Sequence, residues 1–272
     1  MKQPSKSFSI QRHSSHPEVE ETDDFLAIEE PLEIRIDGKS FAVVMRTPGH
    51  DRELAAGFLW SEAIIRSRDD ILDMIRCGKE GESPNENVLD IILANPEALD
   101  WEKLIRNTFT SSSCGICSKA SIDAIHQKFS PVQNNYFQVS RETIYSLPEK
   151  LRAKQRMFEQ TGGLHASALF DKTGQLNVLR EDVGRHNALD KVIGSSFFRN
   201  ELPLENQILL VSGRVSFELM QKALSCQIPV IVAISAPSSL AVQFAKESGQ
   251  TLIGFLRGEK MNVYSGHSRI SL

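Results

Sequence analysis

Ile208-Leu209-Leu210-Val211-Ser212-Gly213-Arg214 is a short apolar run closed by a Ser-Gly-Arg turn. Two further apolar runs follow at residues 230–234 and 252–256, with helical patterns at residues 217–224 and 240–246 between them. Strand, helix, strand, helix, strand at these lengths predicts right-handed crossovers and a largely parallel sheet. The polar turns then fall at the carboxyl ends of strands, Ser212-Gly213-Arg214 after the first and Ser235-Ala236-Pro237-Ser238-Ser239 after the second. Each opens a helix whose unpaired N–H groups suit an anion, and open α/β sheets bind ligands along that edge.

Upstream, residues 166–170 and 176–179 flank Asp171-Lys172-Thr173-Gly174, which reads as a hairpin, and a helix is predicted over residues 185–193. Pro148 has the character of a first-turn proline and Gly162-Gly163 that of a helix end, so one helix is expected between them. Another helix is expected over residues 118–128. Nearer the amino terminus, Leu32, Ile34 and Ile36 alternate with polar residues up to Asp37-Gly38, and an apolar strand at 41–45 completes a hairpin. Thr47-Pro48 ends that strand. From Asp51, apolar residues at Leu54, Phe58, Leu59 and Ile65 recur at helical spacing, and residues 71–75 and 88–93 read as two more strands. The expected organisation is a flexible tail (1–24), a small N-terminal α+β domain (25–109), a mobile cysteine loop (110–119) and an α/β core (120–272).

The 272 residues are 40% hydrophobic and 24% charged, which is ordinary for a globular chain. A net charge of −4 gives no general attraction to nucleic acid or anionic membrane, so any phosphate site must be local. No run approaches the roughly 18 apolar residues of a membrane span, and the first residues lack a signal peptide's apolar centre. The expectation is a cytoplasmic protein. Four cysteines are too few for a disulfide scaffold in a chain of this length. Cys77 and Cys226 read as core residues.

Cys114-Gly115-Ile116-Cys117 follows the small polar run Thr110-Ser111-Ser112-Ser113, a context in which thiols are accessible and reactive. Structural zinc would call for a second pair or nearby histidines, and only His126 is close in sequence. Thioredoxin-like chemistry would call for a preceding strand, which the serine run does not supply. No metal site is predicted. His165, in Thr161-Gly162-Gly163-Leu164-His165-Ala166-Ser167, invites comparison with zinc deaminases, but Ser167 stands where their catalytic carboxylate would be and no Pro-Cys-x-x-Cys follows. Glu181-Asp182-Val183-Gly184-Arg185-His186-Asn187 gathers charged groups around a glycine before a helix, a pattern that is commonly a solvated helix start. Arg214 and Arg257-Gly258-Glu259-Lys260 bring further cations to strand ends, where they suit phosphate oxygens. No Walker loop is present.

In order along the chain, Glu29-Glu30-Pro31-Leu32, Glu53-Leu54-Ala55, Cys114-Gly115-Ile116-Cys117, Gly162-Gly163-Leu164-His165-Ala166, Glu181 through Lys191, Ser212-Gly213-Arg214, Ser235-Ala236-Pro237 and Gly254-Phe255 resemble the FdhD family of formate dehydrogenase accessory sulfurtransferases, from about residue 26 to 265. The resemblance implies a cytidine-deaminase-like core with a mixed, largely parallel sheet, a smaller N-terminal domain, and a homodimer. It also implies that a cysteine desulfurase loads a persulfide onto Cys114, with Cys117 as relay or resolving thiol. The sulfur is then bound for Mo-bis(molybdopterin guanine dinucleotide), on its way to apo formate dehydrogenase. Phe255, Leu256, Arg257, Gly258, Glu259 and Lys260 match the family's cofactor-binding stretch. Ser212, Gly213, Arg214, Ser235, His165, Arg185 and His186 are the expected partners of the guanine-nucleotide moiety along the sheet edge. Two other readings stay open, a chaperone that only binds the cofactor and a thiol-disulfide redox switch.

Overall fold

A computed structural model describes residues 4–15, 19–76, 85–99, 101, 128–133 and 136–271. Cys77, Cys114, Cys117, Lys119, His126, the 110–119 loop and nearly all of the helix expected at 118–128 lie outside the described residues.

The N-terminal segment holds β1 (Ser5–Arg12), β2 (Glu20–Ala27), β3 (Glu30–Ile36), β4 (Lys39–Arg46), α1 (Asp51–Ser61), β5 (Ile71–Arg76) and β6 (Val88–Leu93). The last four strands form a sheet in the order β4-β3-β6-β5. Its hairpin turns at Asp37 and Gly38, with φ of 48° and 78°, the pair of left-handed residues that matches strand twist. The apolar side of α1, with Leu54, Ala55 and Leu59, packs on Leu32, Ile34, Ile36, Leu89 and Ile91. Residues 5–27 do not fit the expected tail. Within them, Ser5–Arg12 and Glu20–Ala27 pair as the antiparallel strands β1 and β2, which were illegible because they bury almost no side chain and so carry no hydrophobic period.

Beyond residue 136 come β7 (Val139–Ser140), α2 (Arg141–Arg152), α3 (Arg156–Thr161), β8 (His165–Phe170), β9 (Leu176–Asp182) and α4 (Arg185–Phe198). They are followed by β10 (Ile208–Val211), α5 (Phe217–Ser225), β11 (Val230–Ala233), α6 (Ser239–Glu247), β12 (Thr251–Arg257), β13 (Lys260–Ser265) and β14 (Ile270–Ser271). The main sheet runs β13-β12-β11-β10-β8-β9. The strand-helix alternation gives the expected parallel trio β10, β11 and β12. The sheet as a whole is mixed rather than largely parallel, because β8–β9 and β12–β13 are antiparallel hairpins and β8 also pairs antiparallel with β10. Leu209 and Val211 of β10 face α4, α5 and α6 through Val192, Leu219 and Phe244. Ile208 and Leu210 face Ile144, Leu147 and Leu151 of α2. The central strands are thus apolar on both sides because both are covered.

Two helices stand where one was expected before β8. Helix α2 begins at Ser140, whose hydroxyl accepts the Thr143 N–H at 3.1 Å, and Pro148 lies inside it. An interior proline forfeits one backbone hydrogen bond, and the buried stripe of Ile144, Leu147 and Leu151 offsets the loss. Helix α3 ends at Gly162 in the left-handed region, φ 65°, as the glycine pair suggested.

Helices α1 and α4 cross in backbone contact. A Cβ on Gly57 would lie 1.9 Å from the Asp190 carbonyl oxygen, and one on Gly194 1.8 Å from that of Glu53. Glycine is required at both positions by space alone. Polar links close the same junction: Lys222 Nζ donates to Asp190 Oδ1 at 2.8 Å and to Ser61 Oγ at 2.8 Å, and Trp60 Nε1 donates to the Ser225 carbonyl at 3.0 Å. Cys226 is fully buried beneath them, and burial pushes its thiol up to about 12, so it is the inert core cysteine the sequence suggested. Among the described residues no helix is long and apolar enough to cross a membrane.

Candidate functional site

Strands β10, β11 and β12 end on one edge of the main sheet, and β8 starts there because it runs antiparallel to β10. This topology gathers His165, Arg185, His186, Ser212, Gly213, Arg214, Ser235 and Phe255 on a single rim. Backbone bonds fix the rim: Ser212 N–H donates to the Ala166 carbonyl at 3.0 Å, and Ser212 Oγ accepts the Ala166 N–H at 2.9 Å. The two turns are tied to each other as Val215 N–H donates to the Ala236 carbonyl at 3.1 Å and Ser238 N–H to the Val215 carbonyl at 2.9 Å. Gly213 sits against His165, whose Nδ1 would be 3.1 Å from a Cβ there.

The helix starts on this edge are not equivalent. Helix α6 is capped from within, its Ser238 Oγ accepting the Ala241 N–H at 3.2 Å. Helix α4 begins at Gly184 with no side-chain cap. Helix α5 begins at Ser216, whose hydroxyl meets His186 Nε2 at 3.1 Å instead of capping its own helix. His186 Nε2 also lies 3.0 Å from Glu218 Oε2. The hydrogen bond from His186, then its charge and that of Arg185, outweigh burial and hold the Glu218 carboxyl below its usual range. These His186 contacts bring Ser216 and Glu218 into the rim, and neither was legible beforehand because the pairing joins residues on different helices.

Burial lowers the His165 pKa, and the charges of Arg185, His186 and Arg214 add to that, with Asp182 opposing. His165 is therefore a neutral hydrogen-bonding group at pH 7. Positive charge comes from arginine. Among the described residues Arg185, Arg214 and Arg257 make no ion pair, and Arg185 Nε is a buried donor with no partner. A helix start without a side-chain cap, with two guanidinium groups beside it that make no direct ion pair among the described residues, is an anion-binding arrangement.

The acidic half of the 181–187 cluster has a different job. Asp182 is wholly buried against Lys191, and Glu181 accepts the N–H groups of Met157 and Phe158 at 3.2 and 2.8 Å. Neither is a solvated helix-start charge nor a ligand group. The 255–260 stretch forms the end of β12 and its turn into β13. Phe255 has φ 53° and lies on a register shift, with its N–H donated to the Ser235 carbonyl at 3.1 Å. That conformation is strained for an aromatic residue, and it turns the ring outward over a depression of about 560 Å³ shared with Tyr145, Arg257, Lys260 and Asn262. Leu256, expected with the binding residues, instead points into the core and is 1% exposed. Alternation along a strand sends neighbours to opposite faces. Tyr145 is a partner the sequence did not suggest, since it comes from α2.

The model of the FdhD/NarQ family matches residues 27–271. This chain belongs to the FdhD/NarQ family. A relative from Streptomyces avermitilis named sulfur carrier protein FdhD is 51% identical, covering 92% of this chain and 90% of the relative. One of the same name from Mycobacterium tuberculosis is 48% identical over 96% of both. A sulfur carrier protein FdhD from Sulfurisphaera tokodaii is 45% identical over 91% of this chain and 92% of its own. The fold is also that of a crystal structure from Desulfotalea psychrophila, described as a candidate formate dehydrogenase accessory protein, with TM-score 0.76 and 24% identity over 99% of this chain and 100% of that one. Within the described residues, the motifs of 165–166, 212–214, 235–237 and 254–255 lie on the rim, and that of 181–191 runs from the rim into the buried junction that supports it.

Proposed function

We propose that this chain is a sulfur carrier of the cytoplasm that takes sulfane sulfur from a cysteine desulfurase and delivers it to Mo-bis(molybdopterin guanine dinucleotide) destined for apo formate dehydrogenase. The observation that carries the reading is Cys114-Gly115-Ile116-Cys117 in a chain 45–51% identical, over nine-tenths of its length, to proteins named sulfur carrier. The Cys114 thiolate attacks the outer sulfur of the desulfurase persulfide. The S–S bond breaks, the desulfurase cysteine leaves as thiolate, and Cys114 carries –S–SH. Cys117 thiolate then attacks the inner sulfur, forming a Cys114–Cys117 disulfide and releasing hydrosulfide to the cargo, and two equivalents of a cellular thiol reduce that disulfide and leave as their own disulfide.

The cofactor is cargo in this scheme. Arg185 and Arg214 hold its phosphates at the start of α4, where no side chain caps the helix and the orphaned Arg185 Nε fits an anion. Gly213 allows close backbone approach, His165 offers a neutral hydrogen-bonding nitrogen, and Phe255 with Arg257 and Lys260 supplies a flat apolar face and charge for the base and remaining phosphate. The order β9-β8-β10-β11-β12, with an antiparallel hairpin leading a parallel trio, supports reading the core as deaminase-like. A homodimer is part of the proposal.

Intact mass measured after incubation with a cysteine desulfurase and cysteine tests the scheme. A reducible gain of one sulfur atom in the wild type, lost in Cys114→Ala, supports it. No gain from a desulfurase shown to be active rejects transfer in favour of a cofactor-binding chaperone.

A further inference from the structure

The helices that start on the rim edge dispose of their positive ends differently. Helix α6 uses the Ser238 hydroxyl. Helix α5 leaves its Ser216 hydroxyl with His186 but carries Glu218 in its first turn, where a carboxylate complements the helix dipole. Helix α4 has neither a side-chain cap nor an acidic residue in its first turn. An arriving phosphate is thereby steered to α4.

Of the carboxylates beside that start, Asp182 is wholly buried and paired with Lys191 at 2.6 Å, so a ligand does not meet its charge. Glu218 is different, with 48% of its side chain exposed and its Oε2 3.0 Å from Nε2 of His186, in the first turn of α4. The hydrogen bond from His186 and the charges of His186 and Arg185 hold its carboxyl below the usual range, so it is ionised at neutral pH. An ionised carboxylate can only accept, so His186 Nε2 is the donor. That nitrogen is committed to Glu218 and Ser216 instead of phosphate. The bond holds a fixed negative charge next to the place where Arg185 draws anions in.

Such a charge reads how much negative charge a ligand brings. A terminal phosphate carries about −1.5 to −2 at pH 7, whereas a phosphate esterified on both sides has a single ionisable oxygen and carries less. We propose that Glu218 is a specificity-determining residue of the rim, a carboxylate that penalises terminal phosphate and so favours the bridged phosphates of a dinucleotide over free nucleoside di- and triphosphates. The selectivity rests on the rim being the phosphate site of the proposed function. It would keep the site open to cargo among free nucleotides that share the same base, by repulsion of the wrong ligand.

Isothermal titration of the full chain with diguanosine pyrophosphate, guanosine diphosphate and guanosine triphosphate holds the base constant while terminal charge grows. The buffer contains no divalent cation, so that no metal masks the phosphates. Glu218→Gln should tighten the triphosphate about 3- to 5-fold, as a half-exposed and screened charge would, tighten the diphosphate less, and leave diguanosine pyrophosphate within about 2-fold. Glu218→Asp keeps the charge and should keep the wild-type ratios. Equal changes for all three ligands in Glu218→Gln, or the same shift in ratios in Glu218→Asp, would mean that Glu218 acts only by holding His186, and either result overturns the proposal. Wild-type protein that binds the three with ratios indifferent to Glu218→Gln overturns the selectivity alone. Wild-type protein that binds none of them overturns the rim as a phosphate site, and the selectivity with it.

Discussion

Asp182 Oδ2 and Lys191 Nζ stand 2.6 Å apart with 0% and 1% of their side chains exposed, and the backbone of Thr47 closes the pair. Thr47 donates its N–H to Asp182 at 3.1 Å and accepts from Lys191 at 2.9 Å through its carbonyl, while its hydroxyl accepts the Val183 N–H at 3.1 Å. Asn187 adds a bond to the Met45 carbonyl at 2.7 Å. The charged motif just before α4 is therefore a buried clasp on the N-terminal segment, and it sets where Arg185 and His186 emerge.

Breaking the clasp from one side strands a charge. Lys191→Met should cost about 3–5 kcal/mol, because Asp182 is left buried without its counter-ion. Lys191→Met with Asp182→Asn should cost less than the sum of the two single changes. Urea unfolding of the three variants measures the difference, and additive losses would mean the ion pair is not the unit.

The α1–α4 crossing makes a steric prediction. Gly194→Ala or Gly57→Ala forces a methyl into the facing backbone, so each should lose upward of about 3 kcal/mol or fail to fold. Gly163→Ala is the control. Its Cβ would have no neighbour nearer than 3.8 Å, and its effect on thermal unfolding should stay within about 0.5 kcal/mol.

Glu53 of α1 accepts Arg180 Nε at 2.5 Å and Nη2 at 2.8 Å, with His50 Nδ1 at 3.2 Å. Burial alone would raise its carboxyl, but the hydrogen bonds and charges of Arg180 and His50 prevail and lower it from 4.5 to about 2. A depressed folded value means stability that is full above pH 4.5 and lost as pH falls toward 2. The wild type should therefore exceed Glu53→Gln in urea midpoint at pH 7, with the gap closing across that window. A gap independent of pH would show that Glu53 acts by packing alone.

Much of this was legible in the sequence, for identifiable reasons. Ile208 to Val211 and its two successors announce themselves because strands covered on both faces must be apolar throughout. Asp37-Gly38 announces its turn because few other pairs accept two left-handed residues. What escaped has no local signature. Phe8 and Leu26 sit in strands that leave most of their side chains in water. Glu218 meets His186 only through tertiary structure, and Leu256 looked like its neighbours until strand alternation turned it inward. The carboxylates of 181–187 were misleading for a related reason: composition does not distinguish a solvated helix start from a buried clasp when the partner, Thr47, lies 135 residues from Asp182.

The division of the rim into charged and neutral groups predicts how nucleotide binding should respond. On the proposed reading Arg185 and Arg214 contact phosphate, so replacing either with Gln should weaken binding of guanosine diphosphate to the full chain about 10-fold or more, the cost of a charge-assisted bond. Neither change should lower stability, since neither guanidinium makes an ion pair among the described residues. Raising salt should weaken the wild type more than either variant. His165 stays neutral at pH 7 because burial and the adjacent arginines hold its pKa down, so His165→Asn should lose affinity by a similar factor at pH 6.5 and pH 8. A loss confined to the lower pH would mean that His165 binds as a cation, and the rim would then have to be redrawn around it.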